Sequence, residues 1–181
     1  MNPESATASA RVPVPHVRRR GPLDLDECVH ALAEVHERDA YPVNWPDSPG
    51  DWLTQPSLLV AWVAELDGRI VGHVSLSRSE AGDAAPALWS SRKGVDIEVT
   101  AVVSRLFVAP AARGHGIGAL LMAEAVREAH ARDLHPVLDV VASDTSAAAL
   151  YERLGWELLA TVEQWWSPDQ KVAVRCYAAA G

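Results

Sequence analysis

Cysteine is scarce in this chain: Cys28 and Cys176 are the only two among 181 residues. That is too few for the disulfide framework of a small secreted domain. Cys28 falls on the apolar side of an expected helix and Cys176 in an expected terminal strand, so both read as small buried hydrophobes. Neither stands in a nucleophile motif. Long apolar runs are missing too: no segment reaches membrane-spanning length, and the first residues lack the apolar core of a signal peptide. The cytoplasm is the expected compartment, with no membrane partner. The seven histidines show no zinc spacing, and His30 and His36 lack the i, i+4 relation of a helical metal pair, so no metal is expected. Positive charge is in deficit. A formal net charge of −8 argues against non-specific nucleic-acid binding. Arg18-Arg19-Arg20 therefore reads as a solvated strand end. The acidic balance suits an amine substrate, although most acidic surfaces only keep a protein soluble.

What is present is an ordinary globular composition. An apolar fraction of 49% over this length suits one domain with a full core. Residues 1–10 read as a loose tail and 11–181 as the domain. Val12, Val14 and Val17 begin an edge strand, because Pro13 and Pro15 are unsuited to an interior one. Asp24 caps a helix with Glu27 as its capping-box partner. Leu25, Cys28, Val29, Leu32 and His36 mark that helix's inner face. Residues 41–56 form a Pro- and Trp-rich loop with a short helical turn at 51–53. The loop is either packed surface or one wall of a substrate pocket. Strands follow at 58–65 and 69–77, joined by an Asp67-Gly68 turn. Residues 80–93 read as an inserted loop of Ala, Gly, Asp, Ser and Pro, and 95–108 as a long strand with Asp96 and Glu98 near its start.

The organising stretch is 104–155. Ser104-Arg105-Leu106-Phe107-Val108 is an apolar run with strand character, ended by Ala109-Pro110. Arg113-Gly114-His115-Gly116-Ile117-Gly118 follows, then a helix whose face is Gly118, Leu121, Met122, Ala125, Val126 and Ala129. A glycine loop between a strand and a helix N-terminus is a cradle for phosphate. The first helical amides have no internal partner, the macrodipole is positive there, and Arg113 adds a cation. Gly114 to Ala119 also fits the dinucleotide pattern, with Asp139 at the distance of a ribose contact. A dinucleotide loop should follow its strand directly, however, and here residues 109–113 intervene. Asp139 also sits inside its strand.

Arg-x-x-Gly-x-Gly after Leu-Phe-Val-x-Pro resembles the acetyl-CoA loop of the GCN5-related N-acetyltransferases (GNAT). Val137-Leu138-Asp139-Val140-Val141 resembles that family's fifth strand. Ala147-Ala148-Ala149-Leu150-Tyr151-Glu152-Arg153-Leu154-Gly155-Trp156 resembles its following helix and strand entry. The three occur in order and at the right spacing. The resemblance implies a mixed, mostly antiparallel central sheet of about seven strands with helices on both faces. It implies an acetyltransferase in which an amine attacks acetyl-CoA directly, in a ternary complex. Leu106, Phe107 and Val108 would line the pantetheine arm, with a backbone amide near Leu106 polarising the thioester carbonyl. Arg113, Gly114, His115, Gly116, Ile117, Gly118 and Ala119 would hold the pyrophosphate.

Tyr151 reads as a core tyrosine by periodicity alone, and the resemblance makes it the general acid. Asp144 stands where the family often has an asparagine touching the cofactor arm, and an aspartate there caps a helix as well. Members with a mid-strand glutamate base carry it where this chain has Val102. Glu98 and Asp96 are the nearest carboxylates on that strand, Ser104 could relay a proton through water, and His73 lies on a neighbouring strand. Glu98 is taken as the base. The expected acceptor is the primary amine of a small molecule, and a homodimer is left open. Alternatives are acetylation of a protein N-terminus or lysine, or an acyl-CoA-binding module without turnover.

Overall fold

The computed structural model describes residues 11–181, so the expected N-terminal tail lies outside the described residues. Seven strands form one sheet in the order β1-β2-β3-β4-β5-β7-β6. They are β1 His16–Arg19, β2 Leu58–Leu66, β3 Arg69–Arg78, β4 Thr100–Val108, β5 His135–Val141, β6 Glu157–Ser167 and β7 Gln170–Ala178. All neighbouring pairs are antiparallel except β4 with β5. The helices are α1 Leu25–Asp39, α2 Pro49–Leu53, α3 Ala84–Lys93, α4 Ile117–Ala131 and α5 Thr145–Arg153. This is the architecture expected from the sequence, except that the edge strand β1 starts at His16, past Pro13 and Pro15, and does not include Val12 or Val14.

Both faces of the sheet are covered, unequally. On one face α4 packs through Ile117, Leu121, Met122, Ala125 and Ala129, joined by Ala148 and Tyr151 of α5. The face they cover carries Val74, Leu76, Ala101, Val103, Leu138 and Val140. Each fully buried aliphatic side chain there is worth about 1.5–3 kcal/mol by transfer from water. The other face is split. There α1, through Cys28, Ala31, Leu32 and Val35, covers Val63, Ile70 and Phe107. Further along, Ala85 of α3 covers Val137, Leu159, Val174 and Cys176. Between those two patches lies a row of small polar side chains, Ser75, Ser77 and Ser104.

Three local expectations are corrected. Asp24 stands at the N-terminus of α1, but its carboxylate turns back to Arg18 and the Gly21 amide. The stronger charge-assisted partner wins over the cap, and that guanidinium holds the Asp24 carboxyl down to about 2. Glu27 instead accepts from the Ile70 amide, 3.1 Å away, tying α1 to β3. Second, residues 84–93 are a helix rather than a loop. Asp83 precedes it, Pro86 sits in its first turn where no amide is needed, and Gly94 ends it at φ +68. Third, β4 begins only at Thr100, because Ile97–Val99 form a 3₁₀ turn. Asp96 and Glu98 therefore precede the strand.

Gly72 fixes the depth at which α4 sits. A Cβ there would lie 3.0 Å from Ile117 and 3.1 Å from Leu121. Gly72→Val should cost about 1–3 kcal/mol by overpacking, read as a lowered denaturation midpoint with an unchanged m-value. A midpoint equal to that of the wild type would show that α4 can move outward at no cost.

Candidate active site

The site begins where neighbouring strands diverge. β4 and β5 pair only at Thr100–His135, Ala101–Pro136 and Val102–Val137. Beyond Val102 the β5-facing side of β4 has no strand partner. A bulge in β4 accompanies the divergence. The register runs from His73 opposite Phe107 to Ser75 opposite Ser104, so β4 spends one residue more than β3. Arg105 takes up the extra residue at φ +54, a left-handed conformation uncommon for any residue with a side chain. The Ala109 amide donates to the Val71 carbonyl at 2.7 Å. By the alternation of an antiparallel ladder, Val108 then turns its own backbone groups away from β3 and into the wedge.

The glycine loop closes the open end of this wedge. Gly114 has φ +85 and Gly116, the N-cap of α4, has φ +71. A side chain at either would strain the backbone although it would meet nothing. The first intrahelical bond runs from the Leu120 amide to the Gly116 carbonyl. The amides of Ile117, Gly118 and Ala119 are thus the free donors of the first turn. Gly118 serves packing: a Cβ there would come within 3.1 Å of Leu150 on α5.

The expected contact residues divide by what they can offer. Ile117 and Phe107 are buried in the two opposite cores, so only their backbones are available. Leu106 and Val108 pack on the α4 side and carry the open backbone of β4. Arg113 does not project as a free cation. Its guanidinium pairs with Asp39 at the end of α1 and donates to the Val108 carbonyl at 3.2 and 3.3 Å. The His115 ring donates from Nδ1 to the Ala112 carbonyl at 3.0 Å, bracing the turn before the loop. Asp144 caps α5, accepting from the Ala147 amide at 3.0 Å.

Two titratable groups flank the wedge on opposite faces of the sheet. Tyr151 of α5 lies on the α4 side, its ring buried between Trp156 and Tyr177 at 6.1 and 5.9 Å between centroids. Among the described residues nothing hydrogen-bonds its hydroxyl, and burial raises its pKa, so it stays a protonated donor at neutral pH. Asp139 of β5 lies on the α3 side, directly opposite Cys176. Burial raises its carboxyl above the usual range, opposed by the Cys176 thiol and the Ala84 and Ala85 amides. Its Oδ1 is sealed and unpartnered among the described residues.

The other base candidates are elsewhere or engaged. Glu98 is exposed and lies beyond the paired end of β4, with the Thr100–Val102 ladder between it and the wedge. His73 is fully buried; its Nδ1 donates to the Arg105 carbonyl and its Nε2 accepts from Arg20. Burial depresses its pKa to about 3, so it stays neutral and structural. Both thiols are buried, and burial pushes Cys28 up to about 12. Sequence reasoning passed over Asp139 because a charge inside a strand looked unsuited to a ribose. The informative signal was a lone carboxylate in the apolar run Val137–Val141.

This geometry can grip an anion at the α4 N-terminus, bind an extended chain along β4, and place an acid and a base on either side of it. Among the described residues no helix is long and apolar enough to cross a membrane, and none forms a metal-binding group of His, Cys, Asp and Glu.

Comparison with known proteins agrees with the fold. A search of the curated proteins finds no match. The ribosomal-protein-S18-alanine N-acetyltransferase of Escherichia coli superposes with a TM-score of 0.65 at 18% identity, covering 93% of this chain and 97% of that one. The ribosomal-protein-alanine N-acetyltransferase of Brucella melitensis gives 0.67 at 22%, covering 90% and 98%. NAA60 of Arabidopsis thaliana, solved with acetyl-CoA, gives 0.66 at 21%, covering 91% and 97%. The model of the acetyltransferase (GNAT) family matches residues 27–156, a span that holds most of α1, the wedge, the glycine loop and Tyr151. With most of its length under that match, the chain belongs to the GNAT acetyltransferase family and is an acyltransferase.

Proposed function

We propose that the chain transfers the acetyl group of acetyl-CoA to the primary amine of a small molecule, by direct attack within a ternary complex. The observation that carries this is the wedge: β4 and β5 diverge after Val102 and Val137, and the α4 N-terminus stands at the open end. The pyrophosphate binds the free amides of Ile117, Gly118 and Ala119 within the loop from Arg113. The pantetheine arm lies along Leu106 and Val108 as an added strand. A β4 amide polarises the thioester carbonyl. Arg113, held by Asp39 and the Val108 carbonyl, shapes the loop more than it neutralises phosphate.

In the transfer the amine nitrogen bonds to the acetyl carbon and the carbon–sulfur bond breaks. The thiolate leaves with its electron pair and takes a proton from Tyr151. The proton shed by the amine passes through water to Asp139, by the carboxylate oxygen other than the sealed Oδ1, and Asp139 takes the base's part from Glu98. Acid and base stand on opposite faces of the sheet, so the amine enters from the α1/α3 face and the thiol departs on the α4/α5 face. Holding both reactants in line supplies much of the acceleration.

A second reading, acetylation of a protein N-terminus, has one observation in its favour. Trp45, Trp165 and Trp166 are exposed on the loop after α1 and on the β6–β7 hairpin. These segments are joined by paired Asn44–Gln170 hydrogen bonds at 2.8 and 3.2 Å. Two of the similar folds are named ribosomal-protein-alanine acetyltransferases.

The test is initial-rate kinetics with thiol detection, using amino acids, polyamines, aminoglycosides and peptides. Double-reciprocal plots at several acetyl-CoA concentrations should intersect. Parallel lines, with one acetyl group appearing on Cys28 or Cys176, would mean a covalent route.

The proton path predicts a pH signature. A base with a raised pKa must lose its proton to act, so kcat at saturating amine, which is free of the ionisation of unbound amine, should fall as pH drops through a value above the ordinary carboxylate range. Asp139→Asn should remove that acid limb and lower kcat about 10²-fold or more. Retention of the limb would clear Asp139. Tyr151→Phe should keep acetyl-CoA affinity and lower kcat about 10²-fold; full turnover with chemistry rate-limiting would return Tyr151 to a packing role.

A further inference from the structure

The bulge in β4 does more than separate that strand from β5. Strand alternation puts Val103 on the α4 face and Ser104 on the other, so Arg105 should return to the α4 core. The extra residue cancels that return. Leu106 takes the α4 side and Phe107 the α1 side, while Arg105 stays on the α1/α2 face beside Ser104. There its guanidinium lies 4.1 Å above the Trp52 ring, and its Nε donates to the Trp52 carbonyl at 3.3 Å. The Trp52 ring is in turn braced edge-on by Tyr41 at 6.3 Å.

This pinning leaves the working end free. Among the described residues neither Nη group of Arg105 has a hydrogen-bond partner, and no carboxylate forms an ion pair with it. Arg18, Arg19, Arg92, Arg113, Arg127 and Arg132 all have such partners. Burial lowers the Arg105 pKa, so water does not fully replace the missing anion. Arg105 and Asp139 lie on the same face of the sheet, the α1/α3 face, one on each of the two strands that border the wedge. A half-buried planar fork held by stacking is preorganised for a carboxylate.

We infer that Arg105 binds a carboxylate of the acceptor, so that the substrate class is a small amino carboxylate rather than a simple amine. This rests on the acetyl-transfer reading above. Arg105 springs from the bulge one residue before Leu106, beside the thioester position. The amine at the wedge and the carboxylate on Arg105 therefore need only a short spacer between them. A plain polyamine would leave the fork empty and set its own cation near Arg105. A mid-chain peptide N-terminus brings no carboxylate at that distance.

The experiment compares matched acceptors with the full-length protein and acetyl-CoA: glycine, alanine, methionine, phenylalanine and glutamate, each against its methyl ester and its decarboxylated amine. An ester lowers the amine pKa and enlarges the neutral fraction, which biases the comparison against the expected result. The carboxylate should still be preferred in kcat/KM by about 10- to 100-fold, the worth of a charge-assisted hydrogen bond. In Arg105→Gln that preference should collapse, chiefly through KM, and Arg105→Lys should restore some of it. Circular dichroism and calorimetric acetyl-CoA binding report folding; if a variant fails to fold, the wild-type ratio alone decides. Esters and decarboxylated amines acetylated as well as the carboxylates would overturn the role of Arg105 and leave acetyl transfer standing. A carboxylate preference that survives in folded Arg105→Gln would overturn it too. Turnover of peptides alone, or of no amine, would sink the small-amine reading and this inference with it.

Discussion

The site depends on backbone hydrogen bonds that the sheet does not make. β4 and β5 are parallel neighbours for three residues and then separate, leaving the β5-facing edge of β4 open from Val103 to Val108. An unpaired buried amide or carbonyl costs on the order of 1–3 kcal/mol, so an open edge inside a sheet is a demand for a partner. The bulge at Arg105 opens the wedge, and the core on both sides holds it open. Leu106 and Val108 are tied to the α4 cluster and Phe107 to the α1 cluster, so β4 cannot slide across to re-pair with β5. An extended amide-bearing chain is the partner we propose for this edge, whose Val108 carbonyl already accepts from Arg113, and the helix N-terminus at its end favours one that carries phosphate.

The same wedge sorts the chemistry by face. The sheet separates Tyr151 among the α4 and α5 side chains from Asp139 beneath α3. The two groups sit in different apolar surroundings, and burial favours the neutral form of each. Tyr151 therefore stays protonated over a wide pH range, and the Asp139 carboxyl holds its proton to higher pH than an exposed one. Neither thiol competes: Cys28 is locked under α1 and Cys176 under α3. On the proposed proton path, the carboxylate absent at Val102 comes from Asp139, on the strand across the wedge.

The legibility of the sequence followed the type of signal. Strand, glycine loop and α4 were readable because Gly114 and Gly116 need left-handed backbone and Leu121, Met122, Ala125 and Ala129 repeat at helical spacing. The helix Ala84–Lys93 was not: Ala, Ser and Pro are loop-like in composition, and only the Asp83 and Gly94 boundaries mark it. Glu98 was misplaced because a 3₁₀ turn and a strand start share the same mixture of β-branched and acidic residues. The roles proposed for Asp139 and Arg105 rest on tertiary placement. One is desolvated by a helix about 50 residues upstream and the other is re-aimed by a bulge, and neither effect leaves a local periodicity.

We place acetyl-CoA along the open edge of β4. Backbone hydrogen exchange, followed with and without acetyl-CoA, tests it most directly. Amides of the Leu106–Val108 segment and of the first turn of α4 should gain strong protection on binding, while those where β2 pairs with β3 stay unchanged. Binding that protects neither segment, or that instead protects Glu27, His30 and Glu34 of α1 and Leu66, Asp67 and Arg69 of the β2–β3 turn, which line a cleft of their own, would contradict this placement.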